Sequence, residues 1–259
     1  MTALALALDG QTVVVTGAAK GIGRAIARRF LDFGASVVVA DADEGGRETA
    51  KQLASEEEGF AARVHFIRCD VSKRSEVEAL IAETAEHFGA VDVLVNNAGI
   101  FPRADLFRTD DAFWDNVMGI NLKGAYMLCQ AVVPAMIERS SGVIVNIGSG
   151  HAGSGEPDTM AYAVSKGGIV TLTKNLAKSL AKHNIRVNCV QPGWVASEGE
   201  VARWRANGMD EEQIEAMSAR VQTGEDIADA VVFLASGMSR QIIGHVLVVD
   251  GGASLGRVR

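Results

Sequence analysis

Val13-Val14-Val15-Thr16-Gly17-Ala18-Ala19-Lys20-Gly21-Ile22-Gly23 decides the architecture of this chain. A β-branched run ends in a glycine cluster, and helical periodicity starts directly after it, over about 22–33. A strand turning sharply into a helix opens a βαβ unit. Gly17 permits the tight turn, Gly21 lets backbone approach a pyrophosphate, and Gly23 allows close helix–strand packing. Lys20 and Ile22 flank the point where the helix begins. Its free N–H groups and positive dipole end would face an anion there. The spacing is G-x-x-x-G-x-G rather than the G-x-G-x-x-G of many dinucleotide folds, and a plain glycine turn between strand and helix remains the alternative.

The same alternation continues along the chain. Val37–Val39, Val64–Ile67, Val91–Val95, Val143–Ile147, Ile185–Val190 and Val246–Val249 read as six further strands. Helical patterns fall between them, at roughly 45–57, 73–88, 111–138, 160–182 and 225–236. Strands alternating with helices imply right-handed crossovers and a parallel sheet. The expected fold is α/β, a single doubly wound, Rossmann-like parallel sheet of about seven strands with helices on both faces. A single domain, 1–259, is expected to carry both binding and chemistry. Its longest interval without a strand, about 193–224, is placed to be a substrate lid.

Composition agrees and narrows the partners. The chain is 48% apolar, mostly Ala, Val, Ile and Leu, which suits buried parallel strands. With 28 glycines against 4 prolines, it favours tight turns and close backbone approaches over disorder. A net charge of −7 with no basic stripe argues against nucleic acid. Cys69, Cys129 and Cys189 are far apart and odd in number, as expected of small buried residues in a reducing compartment. The apolar opening Met1–Leu8 has no positive flank and is too short to span a bilayer, and no membrane-spanning stretch stands out. The expected location is cytoplasmic. The five histidines show no ligand spacing along the chain, so no metal site is expected.

Three residues point to proton transfer. Tyr162 and Lys166 stand at i and i+4 in a helical stretch and so share one face. A cation beside a phenol favours phenolate and lowers its pKa toward working pH. Ser149 lies past the Val143–Ile147 strand, placed to hydrogen-bond a substrate oxygen. Each has a plainer reading: a half-buried tyrosine, a solvated lysine, a turn serine. Asp41 closes the second strand, where a carboxylate can accept hydrogen bonds from the adenosine ribose and repel a 2′-phosphate. That favours NAD over NADP. Lys20 pulls the other way, but Ala42 offers no second cation.

Taken together, these residues resemble the short-chain dehydrogenase/reductase family over nearly the whole chain. Thr16-Gly17-x-x-x-Gly21-x-Gly23 matches its cofactor loop, Cys69-Asp70-Val71 its adenine turn, and Asn96-Asn97-Ala98-Gly99 its fourth-strand motif. Asn121, Ser149, Tyr162 and Lys166 match its catalytic tetrad, and Pro192-Gly193 its post-strand turn. The resemblance implies a homo-oligomer, commonly a tetramer packed through two long helices and the last strand. It also implies that Lys166 holds the nicotinamide ribose, that Gly99 lets that ribose approach, and that Asn121 positions a relay water. It brings Val195 and Ser197 to the cofactor, Ser197 standing where a threonine is usual. Thr223 stands where a proline often precedes Glu225-Asp226, which bears on the end of the lid.

The implied activity is hydride transfer between NAD and a secondary alcohol or ketone, with Tyr162 as general acid/base. Ser149, His151 and Trp194 are the candidate substrate contacts. Arg203 and Arg205 could hold a carboxylate, although Glu198 and Glu200 stand near enough to neutralise them. The polar mix leans toward a small substrate such as a polyol, sugar or hydroxy acid. Two alternatives stay open: an NADP-using reductase of 3-oxoacyl-carrier-protein type, and a non-catalytic dinucleotide sensor or scaffold. Enoyl reductases of this resemblance space Tyr and Lys further apart, so Tyr162-x-x-x-Lys166 disfavours them.

Overall fold

The computed structural model describes residues 8–153, 155–218 and 221–255. The opening segment 1–7 and the tail 256–259 lie outside these, as do positions 219 and 220 of the expected lid. Seven strands form one parallel sheet: β1 (Thr12–Thr16), β2 (Ser36–Asp41), β3 (Val64–Arg68), β4 (Val93–Asn96), β5 (Gly142–Ile147), β6 (Ile185–Pro192) and β7 (Val246–Val249). Their order is β3-β2-β1-β4-β5-β6-β7. Successive crossovers run outward from β1 in one direction, then return to its other side through β4. The connections leaving the carboxyl ends of β1 and β4 therefore part to opposite faces of the sheet and leave a crevice, where ligands of open α/β sheets bind.

Both faces of the sheet are covered, as alternation along each strand dictates. Val13, Val15, Val37, Val39, Val93 and Val95 face one layer, with Ile26, Phe30, Leu53, Ile227 and Val231. These come from α1 (Gly21–Asp32), α2 (Gly45–Glu56) and α9 (Gly224–Ala235). Val14, Val38 and Leu94 face the other, with Leu80, Met127, Leu128, Met136 and Leu180. Those belong to α3 (Arg74–Phe88), α5 (Gly124–Arg139) and α6 (Met160–Leu180).

Three features depart from the sequence reading. The expected 111–138 helix is α4 (Asp111–Met118) and α5 joined through a π-helical turn, Gly119–Lys123. This run, 111–139, is long and apolar enough to cross a bilayer by length and composition, although no such stretch was expected. Its Met127, Leu128, Val132 and Met136 are buried in the core on one face of the sheet instead, so core packing accounts for its apolarity. The interval 193–224 contains two helices, α7 (Glu198–Ala206) and α8 (Glu211–Ser218). The Ser197 hydroxyl caps α7 by accepting from the Glu200 N–H at 3.3 Å. Where the lid returns to the core, Thr223 and Asp226 form a reciprocal capping box at the start of α9. The missing proline is therefore no loss to this helix start.

Arg186 of β6 holds the other end of α9. Its guanidinium donates to the Leu234 carbonyl at 2.7 Å, the Ala235 carbonyl at 2.9 Å, the Ser236 carbonyl at 3.1 Å and the Ser239 hydroxyl at 2.8 Å. These carbonyls close a helix whose last turn carries no basic residue of its own. Burial pulls the Arg186 pKa down, and these hydrogen bonds offset the cost of holding its charge there. Arg186→Leu is expected to cost ~2–4 kcal/mol, read as a lower urea midpoint at unchanged m-value. A midpoint within error of the parent would show that water replaces the guanidinium without loss.

Candidate active site

A cleft of about 980 Å³ opens at the carboxyl ends of the strands. Its wall carries Gly17, Lys20, Gly21, Ile22, Gly23, Asp41, Asp70, Val71, Asn97, Ala98 and Gly99 from the β1, β2, β3 and β4 ends. Ser149, His151, Tyr162, Lys166, Pro192, Gly193, Trp194, Val195 and Ser197 complete it from the other side. Every residue expected at the site therefore meets at one cleft, except Asn121, which sits buried behind the wall, and Arg205, which lies outside the lining.

The glycine loop is built for close approach. Gly17 and Gly21 take φ of +65° and +56°, in the left-handed region that favours glycine. A methyl group on Gly17 would lie 2.7 Å from the Ala98 Cα, and one on Gly23 would run into the Gly17 carbonyl and the Asn97 amide. Asn97 is a brace: its Nδ2 donates to the Thr16 and Gly17 carbonyls at 2.9 and 3.0 Å. At Lys20 no side chain caps α1, so the first-turn N–H groups are open toward the cleft. The glycine cradle and these donors fit the pyrophosphate of a dinucleotide. Asp41 stands beside them, accepting from the Ala19 N–H at 2.9 Å and the Asp43 N–H at 3.0 Å. At the β3 end of the cleft, hydrogen bonds from Ser72 hold the Asp70 carboxyl below its usual pKa, and Lys73 adds to the effect.

At the reacting end, Tyr162 packs against Phe101 with ring centroids 4.4 Å apart and meets His151 edge-on at 5.7 Å. Burial pushes the Tyr162 pKa up, and a hydrogen bond with Ser149 partly opposes this. The Ser149 hydroxyl also lies 3.3 Å from His151 Nδ1. Burial lowers the His151 pKa, aided by the Arg103 charge, so the ring is neutral at pH 7 and can exchange a hydrogen bond with that hydroxyl.

Lys166 behaves differently from its sequence reading. Its Nζ donates to the Ile147 carbonyl at 2.8 Å and lies 5.7 Å from the Tyr162 ring centre. Burial depresses its own pKa to about 8. The ammonium thus points at backbone, and in this arrangement it is Ser149 that lowers the tyrosine pKa. The Asn121 side chain is likewise engaged with backbone. Its Oδ1 accepts from the Ile100 N–H at 2.8 Å, and its Nδ2 donates to the Ile100 carbonyl at 3.0 Å and the Ser165 hydroxyl at 3.2 Å. With the side chain so engaged, any relay water would have to use the Asn121 backbone.

Several charges at the mouth are paired. Glu200 of α7 accepts from Trp194 Nε1 at 2.8 Å, Trp204 Nε1 at 3.1 Å and Arg203 Nε at 3.1 Å. Burial pushes its carboxyl up, but these donors together hold it below the usual range. Arg205 pairs with Glu211 rather than Glu198. Trp194 and Trp204 meet edge-on at 5.4 Å, and Trp204 is buried. Sequence reading missed Arg103, Asp250 and Ser254, which also line the cleft. Arg103 stacks 4.9 Å over Phe101 and forks onto Asp158 at 2.9 and 3.1 Å. Its place just past the Asn96–Gly99 motif was the one available signal.

Doubly wound sheet, glycine cradle and Tyr–Lys pair together define a nicotinamide-dependent oxidoreductase. A family model described as Enoyl-(Acyl carrier protein) reductase matches residues 17–254. The 3-oxoacyl-[acyl-carrier-protein] reductase FabG of Thermotoga maritima is 36% identical over 250 residues, covering 95% of this chain and 98% of that protein. The crystal structure of levodione reductase superposes with a TM-score of 0.88 at 30% identity, covering 96% of this chain and 99% of that one. A gluconate 5-dehydrogenase from Burkholderia cenocepacia J2315, in complex with NADP and tartrate, superposes with a TM-score of 0.86 at 32% identity, covering 99% and 100%. The chain belongs to the short-chain dehydrogenase/reductase family, whose members are NAD(P)-dependent oxidoreductases acting on CH–OH and keto groups.

Proposed function

We propose that this protein transfers hydride between NAD and the secondary alcohol or ketone of a small polar substrate, such as a polyol, sugar or hydroxy acid. The observation that carries the reading is the convergence of Ser149, Tyr162 and Lys166 on the cleft that the glycine loop also lines. The nicotinamide, when bound, supplies or takes the hydride. Tyr162 exchanges the proton of the substrate hydroxyl, and Ser149 hydrogen-bonds the same oxygen as charge develops on it. Lys166 holds the nicotinamide ribose, with Gly99 leaving room beside it. Asn121 fixes the Ile100 backbone at the edge of that pocket. Asp70 and Val71 flank the adenine, while Pro192, Gly193, Val195 and Ser197 flank the nicotinamide. His151 and Trp194 contact the substrate beneath a lid formed by 193–224, within a single domain spanning 1–259.

Asp41 supports NAD, since a carboxylate beside the glycine loop would repel a 2′-phosphate. The NADP-bound gluconate 5-dehydrogenase and the FabG relatives support the alternative, an NADP-using ketoreductase. Initial rates with each cofactor over polyols, sugars and hydroxy acids decide between them. We expect NAD to exceed NADP at least tenfold in kcat/KM, with Asp41→Ser narrowing the gap. Faster turnover with NADP would overturn the assignment. Binding of either cofactor with no turnover on any alcohol or ketone would favour the sensor reading.

An oligomer, a tetramer in particular, is part of this proposal. Tyr126 of α5, Val164 of α6 and Val248 of β7 leave apolar surface exposed on the two long helices and the last strand. A cytoplasmic location belongs to the same reading, as do three buried thiols with no disulfide among the described residues.

A further inference from the structure

The fold gathers two histidines that sequence order keeps apart. His65 lies on the edge strand β3, Glu83 and His87 one turn apart on α3, and one ligand atom of each lies within 4.8 Å of the others. The two imidazoles stack with centroids 3.9 Å apart and planes inclined by 25°. His65 Nε2 lies 3.4 Å from the Glu83 carboxylate, to which it donates. His87 Nδ1 lies 3.3 Å from the Glu83 carbonyl oxygen, which can only accept. That contact puts the His87 proton on Nδ1 and leaves Nε2 with its lone pair free, the tautomer a metal ligand requires.

We propose that His65, Glu83 and His87 form a binding site for one zinc-class divalent transition-metal ion. Two imidazoles and one carboxylate, with water in the remaining position, are a standard donor set for Zn²⁺. The ion takes the place of the proton between His65 Nε2 and Glu83, and the His65 ring then carries its proton on Nδ1. The donor atoms stand somewhat further apart than ligands around one zinc at roughly 2.0–2.2 Å. His87 is exposed, so its ring can turn out of the stack toward the ion without disturbing the core; the stack and the Nδ1 contact with the Glu83 carbonyl belong to the metal-free state. The ion would tie the last turn of α3 to the edge strand, a structural tether. His65 lies near the start of β3, about 15 Å along the strand from Asp70 at the cleft. The site is thus separate from the hydride-transfer chemistry and does not depend on that assignment.

The test is calorimetric titration of ZnCl₂ into the chelator-stripped full chain, carrying no polyhistidine tag, beside His87→Ala and His65→Asn. Thermal melts with and without zinc would accompany it. The expected result is one Zn²⁺ per chain and a higher melting midpoint with zinc. Affinity should fall at least tenfold in each variant, and the dinucleotide affinity of all three proteins should stay the same. No saturable uptake by the parent, or uptake that both variants retain in full, would overturn the proposal.

Discussion

Tyr162→Phe is expected to lower kcat in both directions by about a thousandfold or more while leaving dinucleotide affinity and melting midpoint near the parent's. The substitution removes one oxygen. Ring packing against Phe101 and His151 survives, because both contacts are to the ring rather than the hydroxyl. What disappears is the group that exchanges the substrate proton. With the tyrosine pKa raised by burial, the phenol is protonated at neutral pH and suited to act as an acid toward a forming alkoxide. Carbonyl reduction should therefore be the faster direction at pH 7, and alcohol oxidation should rise with pH as the phenol ionises. Steady-state rates across pH, with dinucleotide binding followed by fluorescence, read both effects. A variant within tenfold of the parent would remove Tyr162 from the chemistry and leave the proton to another group. Ser149→Ala should lose less, because it leaves Tyr162, the proposed proton-transfer group, in place.

The parts of this molecule legible in the sequence are those set by local rules. Runs such as Val13–Val15 and Val37–Val39 declare buried strands because β-branched residues fill both faces of a covered parallel sheet. The glycine loop is legible because Gly17 and Gly23 answer steric demands that no other residue meets. The lid helices were not legible. They are polar, and α7 depends on a serine cap and on Glu200 gathering two tryptophans and an arginine. Arg186 was equally silent, because its acceptors come about fifty positions later in the chain. The Tyr162–Lys166 pair was legible as a pair but not in its electrostatics. Helical spacing brings the residues to one face, whereas the lysine rotamer is decided by the Ile147 carbonyl at the end of β5. The same limit hid the His65–His87 stack, which only the docking of α3 on β3 creates.

Lys166→Met should move activity and stability in opposite directions. Lys166 is 4% exposed, and burial depresses its pKa from 10.5 to about 8. Its folded pKa is therefore below its unfolded one, so between these values the unfolded chain binds more protons. Stability then rises with pH from about 8 to 10.5, and below pH 8 the folded state carries the full cost of a buried ammonium. That cost is about 3 kcal/mol, reduced in the exchange by the hydrogen bond to Ile147 that methionine cannot make. Lys166→Met fills the same volume without the charge. We expect its melting midpoint at pH 7 to exceed the parent's by several degrees, with the gap closing as pH approaches 10. Turnover should meanwhile fall at least a hundredfold, because the group proposed to hold the nicotinamide ribose is gone. Melts at pH 7 and 10 beside kinetics at pH 7 test both halves. A variant less stable than the parent at pH 7 would mean that the Ile147 hydrogen bond outweighs the desolvation of the ammonium. An active variant would mean that the buried lysine is only a packing element. A more stable and inactive one would identify Lys166 as a residue retained for function at the expense of the fold.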